Sequence, residues 1–178
     1  MSGKALITRL KACPKGESGW KEFEDVCIAI LTYLFVPPLS PPRVQVRTYS
    51  GTDRRDVVNP NRNYRSSDTW GQLYVELKAR LILFEFKNYS RQQIGKEDVN
   101  QIVSYLTNPM GTLAILCGNK LPNESAHIKR NSIYSDKKII ILFLTPSHLK
   151  EMIYRKMRGE DPADVIIDMI EAFYLQHE

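Results

Sequence analysis

Leu81–Asn88, LILFEFKN, is the stretch on which the fold turns. Four apolar residues lead into a carboxylate, an aromatic ring and an ammonium, and a polar residue closes the run. An apolar run this short, bounded by charge, predicts a mostly buried strand near the middle of a sheet. Side chains alternate along a strand, so Glu85 and Lys87 share one face while Phe84 and Phe86 share the other. A carboxylate and an ammonium two residues apart at a strand end resemble a metal ligand beside a cation that orients or deprotonates water. The chain reads as organised around that pair.

Working outward towards the N-terminus, Trp70, Leu73, Tyr74 and Leu77 form a helical stripe, capped by Ser66 or Ser67. Before it, Val44 and Val46 alternate with Gln45 and Arg47, which predicts a strand with one buried face. Ser50-Gly51-Thr52-Asp53 is turn chemistry, and Arg54–Val58 reads as a second strand closing a hairpin, broken by Asn59-Pro60-Asn61. Trp20, Phe23, Cys27, Ile30, Leu31 and Leu34 place an amphipathic helix after Glu17, ended by Val36-Pro37-Pro38. The first sixteen residues are weakly patterned, a short arm or helix.

Towards the C-terminus, a helix over 96–107 buries Val99, Ile102, Val103 and Leu106. Strands at 112–117 and 138–144 are separated by a helix near 122–130. Thr145-Pro146 opens a helix over 147–157, and a last helix covers 162–174. This order predicts one α/β domain over residues 1–178, a mixed sheet with helices on its faces.

With 178 residues, 43% hydrophobic and 25% charged, the chain is long enough for a sizeable core. Its net charge of +5 suits an acidic partner, nucleic acid first. Six arginines (Arg43, Arg47, Arg54, Arg55, Arg62 and Arg65) stand against Asp53 and Asp56 between residues 43 and 65. They read either as a solvated loop or, because the guanidinium fork matches phosphate oxygens, as nucleic-acid contacts. Three dispersed cysteines and three histidines make no disulfide framework, zinc ribbon or HExxH spacing. No signal-peptide core or membrane-length apolar run is visible, so a cytoplasmic protein with no membrane partner is expected. A Ser/His/Asp hydrolase lacks its G-x-S-x-G elbow.

Glu-x-Lys alone is weak, since a chain of this length meets the pattern by chance about once. Glu76-x-Lys78 also fits, but on the helical stripe, where residues two apart do not face each other. Asp136-x-Lys138 is a near match that reads as a charged turn. Only Glu85-x-Lys87 ends a strongly apolar strand. Asp56, on the hairpin strand 29 residues upstream, reaches the same sheet edge. Gln101 and Tyr105, 14 and 18 residues beyond Lys87, share the polar side of their helix with Asp98. Glu24 lies on the margin of the first amphipathic face. Each also has a plainer reading: Asp56 as a turn acid paired with Arg54 or Arg55, Glu85–Lys87 as a cross-strand ion pair, Glu24 as an inward salt bridge, and Tyr105 as packing.

Taken in order, Glu24, Asp56, Glu85-x-Lys87 and Gln101-x3-Tyr105 resemble the PD-(D/E)XK, or restriction-endonuclease-like, nuclease superfamily. Trp20-Lys21-Glu22-Phe23-Glu24 is similar to the helix start of Mrr-like enzymes, and Gln101-x3-Tyr105 to RecB-type nucleases. Arg55 stands where the motif's name has proline. The resemblance spans about Glu17–Gly118 and implies a restriction-endonuclease-like mixed sheet. It implies Asp56 and Glu85, with the Phe86 carbonyl, as ligands of Mg2+ or Mn2+, and Glu24 as holder of a second metal or a metal-bound water. Lys87 would orient the attacking water or stabilise the developing charge, Gln101 position Lys87 or a phosphate, and Tyr105 contact the nucleic-acid backbone or pack, while Arg54, Arg55, Arg62 and Arg65, on composition, are the expected nucleic-acid contacts. The implied activity is a metal-dependent endonuclease acting on DNA rather than RNA, in a restriction or defence role, as a homodimer or part of a larger assembly. The alternative is a non-cleaving nucleic-acid-binding or assembly module on the same fold.

Overall fold

The computed structural model describes residues 1–47 and 54–177. At its centre is a five-stranded mixed sheet in the order β1 (Arg43–Arg47), β2 (Arg54–Pro60), β3 (Leu81–Lys87), β4 (Leu113–Gly118) and β5 (Ile140–Leu144). The first three strands are antiparallel neighbours, and β3, β4 and β5 run parallel. The LILFEFKN strand therefore sits in the middle position, where both faces are covered. That is why its sequence is apolar without interruption until the chemistry begins.

Alternation along the strands sorts the core into two layers. Ile82, Phe84 and Phe86 of β3, with Leu113, Ile115 and Cys117 of β4, face α1 (Gly3–Ala12), α2 (Trp20–Phe35), α3 (Thr69–Glu76), α6 (Pro146–Met157) and α7 (Asp164–Gln176). Leu83, Ala114, Leu116, Ile141 and Phe143 face α4 (Lys96–Tyr105) and α5 (Glu124–Lys137), the two crossover helices of the parallel half. This is an α/β fold. Ile30, Leu31 and Leu34 of α2 are fully buried, and truncating any one to alanine is worth about 2–5 kcal/mol. Among the described residues no helix is long and apolar enough to cross a membrane.

Several boundaries differ from the sequence reading. β2 continues through Asn59 and Pro60, paired with Ile82 and Leu81, because a proline at the last strand position forfeits no interior ladder bond. The cap of α3 is Asp68, whose Oδ1 accepts from the Gly71 N–H at 2.8 Å, rather than Ser66 or Ser67. Helix α4 ends at Tyr105, two residues early. Helix α5 runs to Lys137, so Asp136 is helical and not in a turn; Lys138, in the left-handed region at φ 56°, ends it. The predicted turn at Ser50–Asp53 lies outside the described residues. Trp20 opens α2 but is 45% exposed, leaving the core stripe to begin at Phe23.

Candidate active site

The ladder between β2 and β3 stops at Val57 opposite Phe84. Just past that pair, the Phe86 N–H donates to Asp56 Oδ2 at 3.0 Å. Asp56 stands two residues before Val58 and Glu85 two after Leu83, so both project on the α4 side of the sheet. A cleft of about 340 Å³ opens at this point. Its floor carries Asp56, Glu85 and Lys87; Trp20 and Glu24 reach it from α2, and Gln101 and Tyr105 from α4. The structure thus brings the six principal candidates into one space.

Glu85 is the electrostatic centre. It is 3% exposed, and its Oε1 accepts from Lys87 Nζ at 3.2 Å, while its Oε2 is buried with no hydrogen-bond partner. Burial, and next the negative charge of Asp56, push its carboxyl up to about 7, against the opposing pull of Lys87. A buried carboxylate with one orphaned oxygen and a second acid beside it is short of positive charge.

Lys87 is aimed by α4. Its Nζ donates to Gln101 Oε1 at 2.6 Å and stands 3.8 Å from Asp98 Oδ1. Gln101 in turn donates from Nε2 to the Tyr105 hydroxyl at 2.7 Å, an i, i+4 relay along the helix. Asp98 accepts from the Tyr89 hydroxyl at 2.6 Å and from the Gly95 N–H at 2.9 Å, which pins the start of α4 to the end of β3. The Tyr89 phenol is raised by burial and then by that carboxylate. Asn119 clamps the same strand end, donating to Asn88 Oδ1 at 2.7 Å and to the Tyr89 carbonyl at 2.9 Å. The Tyr89 and Asn119 partners carry no sequence spacing that predicts them.

Glu24 is buried, and its Oε1 accepts from Lys21 Nζ at 3.3 Å and Gln45 Nε2 at 3.4 Å. Gln45 is a third partner that no sequence spacing predicts. It lies in β1 between Val44, paired with Val57, and Val46, paired with Arg55, which sets it across from Asp56. Its φ of 52° is left-handed, a strained choice for a non-glycine residue within a strand.

The arginines separate. Arg55 is buried and its Nε donates to the Tyr105 carbonyl at 2.7 Å, so it ties β2 to the end of α4 instead of facing solvent as a phosphate contact. The Arg54 side chain lies outside the described residues. Arg62 and Arg65 are exposed in the β2–α3 connection, which leaves β2 at the end of the sheet away from the cleft.

Among the described residues, no group of three or more His, Cys, Asp or Glu side chains forms a metal site on its own. The acids that do meet are Asp56 and Glu85, from neighbouring strands, with the orphaned Glu85 Oε2 as the vacant acceptor. Two hard oxygen donors and an open cleft suit a divalent ion that keeps several waters and completes its shell from a substrate. Glu24 stands across the cleft from this pair and is not a third member of one ligand cluster.

No family model matches the chain, and no solved structure matches it significantly. The chain is similar to the "Putative transposon gamma-delta 80.3 kDa protein" of Escherichia coli (strain K12), at 26% identity. The match covers 90% of this chain but spans only 23% of that protein.

Proposed function

We propose that the cleft hydrolyses phosphodiester bonds, with DNA as the substrate and Mg2+ or Mn2+ as cofactor, in the manner of the PD-(D/E)XK nucleases. One observation carries the reading: an orphaned, buried Glu85 oxygen beside Asp56, with Lys87 held against the same carboxylate by Gln101. Asp56 and Glu85 would hold the metal, which would lower the pKa of a bound water and polarise the phosphate. Lys87 has two of its three N–H donors committed, to Glu85 and Gln101, and the third is the one that reaches a water or a phosphate oxygen. It orients the attacking oxygen and steadies the negative charge growing on the phosphoryl oxygens. Water oxygen would bond to phosphorus as the P–O ester bond breaks; the proton released by the water goes to solvent, and the leaving ester oxygen takes one from solvent to become a hydroxyl. Glu24, across the cleft, would orient a water bound to such a metal.

The relative's name, a transposon protein, favours DNA over RNA as the polymer. Unpaired thiols at Cys13, Cys27 and Cys117 suit a reducing, cytoplasmic setting. Cutting both strands of a duplex takes two such clefts, most simply in a homodimer. The test is cleavage of circular and linear, single- and double-stranded substrates with and without Mg2+ or Mn2+. Metal-dependent scission is expected. Binding without scission under every metal condition overturns the enzymatic reading in favour of a non-cleaving module.

A further inference from the structure

A second cluster of chemistry sits at the opposite end of β3, and its parts are unlike those of the cleft. Tyr64, 54% exposed, has its ring centroid 5.9 Å from that of Tyr74 on α3, the planes inclined by 46°. The Arg65 guanidinium lies 5.2 Å over the Tyr64 ring, and the Arg80 guanidinium 5.7 Å over the Tyr74 ring. Beside them opens a groove of about 540 Å³. Among the described residues neither arginine has a carboxylate within ion-pair distance. Two aromatic faces and two unneutralised cations share one exposed surface.

The loop that carries Tyr64 and Arg65 is fixed to the core. Buried Asn61 donates from Nδ2 to the Trp70 carbonyl at 2.8 Å and the Ala79 carbonyl at 3.0 Å. Its Oδ1 accepts from the Asn63 N–H at 3.1 Å and from Asn63 Nδ2 at 2.9 Å. The Ser66 N–H closes the turn on the Asn63 carbonyl at 2.9 Å. Gly71 lets the Ser66 carbonyl lie directly on α3, in space that a Cβ would occupy. The backbone that carries Tyr64 is therefore held in place before any ligand arrives, which lowers the ordering cost of binding.

We infer that Tyr64 and Tyr74, with Arg65 and Arg80, form a stacking platform for the bases of a single nucleic-acid strand. The inference deepens the proposed function and rests on it for the substrate class. An exposed aromatic face recognises a π-face of matching size, and only an unpaired strand offers its base faces, because duplex bases stack on one another. The paired arginines neutralise the phosphates on either side. The seven residues of β3, at about 3.3 Å each, set the platform about 20 Å from the cleft. The substrate this implies has an unpaired segment leading to the bond that is cut.

Fluorescence anisotropy with labelled oligothymidylate, in EDTA so that no cleavage is needed, tests the platform separately from the chemistry. Tyr64→Ala, at an exposed position, is expected to weaken binding about tenfold, and Tyr64→Ala/Tyr74→Ala further. Tyr64→Phe keeps the ring and wild-type affinity. Wild-type protein should bind an abasic oligonucleotide of equal length as weakly as Tyr64→Ala/Tyr74→Ala binds oligothymidylate, and duplex affinity should be the same in all variants. Wild-type affinity in Tyr64→Ala, equal binding of the abasic strand, or no binding of oligothymidylate by the wild type each overturns the platform. Metal-dependent cleavage of duplex that persists alongside any of those results leaves the proposed hydrolysis standing. Base-dependent binding by a protein that cuts nothing leaves only the platform.

Discussion

Glu85-x-Lys87 and Glu76-x-Lys78 are the same three-residue pattern nine positions apart, and the fold treats them oppositely. In β3 the pair shares one face, and Lys87 Nζ meets Glu85 Oε1 at 3.2 Å on the largely buried floor of the cleft. Glu76 is the last residue of α3, and Lys78 lies past its cap, Leu77, in the left-handed region at φ 51°. Both are exposed, and no ion pair joins them. A three-letter motif becomes a site through the period of the element beneath it and the burial around it. Composition is equal in the two places; the dielectric is not.

Replacing either member of the strand pair should have the greatest effect. Glu85→Gln and Lys87→Ala should each lower cleavage by about a thousandfold or more, for separable reasons. Calorimetric titration with Mg2+ or Mn2+ should show weakened binding in Glu85→Gln, which loses a ligand charge. Lys87→Ala keeps both carboxylates and should still bind metal and nucleic acid while the chemical step fails. Equal metal affinity in Glu85→Gln and wild type would remove Glu85 from the ligand set.

Burial of Glu85 also has a thermodynamic signature. Its carboxyl titrates near 7 in the folded, metal-free protein and near 4.5 when unfolded. The folded state therefore holds the extra proton between those values, and stability must fall as pH rises through that window. The loss is a few kcal/mol at most and ends once pH exceeds the folded value. Urea unfolding in EDTA across the window measures it, and Glu85→Gln should flatten the slope. An unchanged slope in that variant would assign the effect to other groups.

Gln101 sharpens the comparison at lower amplitude. Glu76 and Lys78 have no third residue aligning them, whereas Lys87 has Gln101 at 2.6 Å, backed by Tyr105. Gln101→Ala should reduce kcat about ten- to a hundredfold with metal affinity retained, and Tyr105→Phe should do less. A Gln101→Ala variant that loses metal binding in step with kcat would make the glutamine a ligand-shell residue, not an aligner of Lys87.

The order of strands and helices was legible because each element carries its own period over several residues, with LILFEFKN the clearest. Glu85, Lys87, Gln101 and Tyr105 were legible for the same reason: strand and helix periods state which residues share a face. What escaped needed contacts between elements. Gln45 reaches Glu24 from a left-handed strand position that no pattern announces. Asn119 grips Asn88 and Tyr89 from beyond β4, about thirty residues on in sequence. Arg55 read as a phosphate contact because the arginine-rich composition of its neighbourhood is silent on burial, while its partner is a main-chain carbonyl fifty residues away. Tyr64 and Tyr74 meet only because Gly71 and Asn61 fold a polar loop down onto α3.

The smallest expected effect is at Glu76, and its sign differs from that at the strand pair. A carboxylate in the last turn of a helix meets the negative end of the peptide dipoles, which opposes it. Alanine is also the better helix former at an exposed position. Glu76 acts electrostatically on Tyr174, whose phenol is raised by burial, then by Tyr134, and only third by Glu76. Glu76→Ala should therefore leave cleavage and metal affinity at wild-type values and raise stability by up to about 0.5 kcal/mol. Differential unfolding and cleavage of that variant, run beside Glu85→Gln, tests position directly, since each replaces one glutamate of an identical motif. A cleavage defect in Glu76→Ala would mean that the motif acts through sequence alone, and the argument from period and burial would fail.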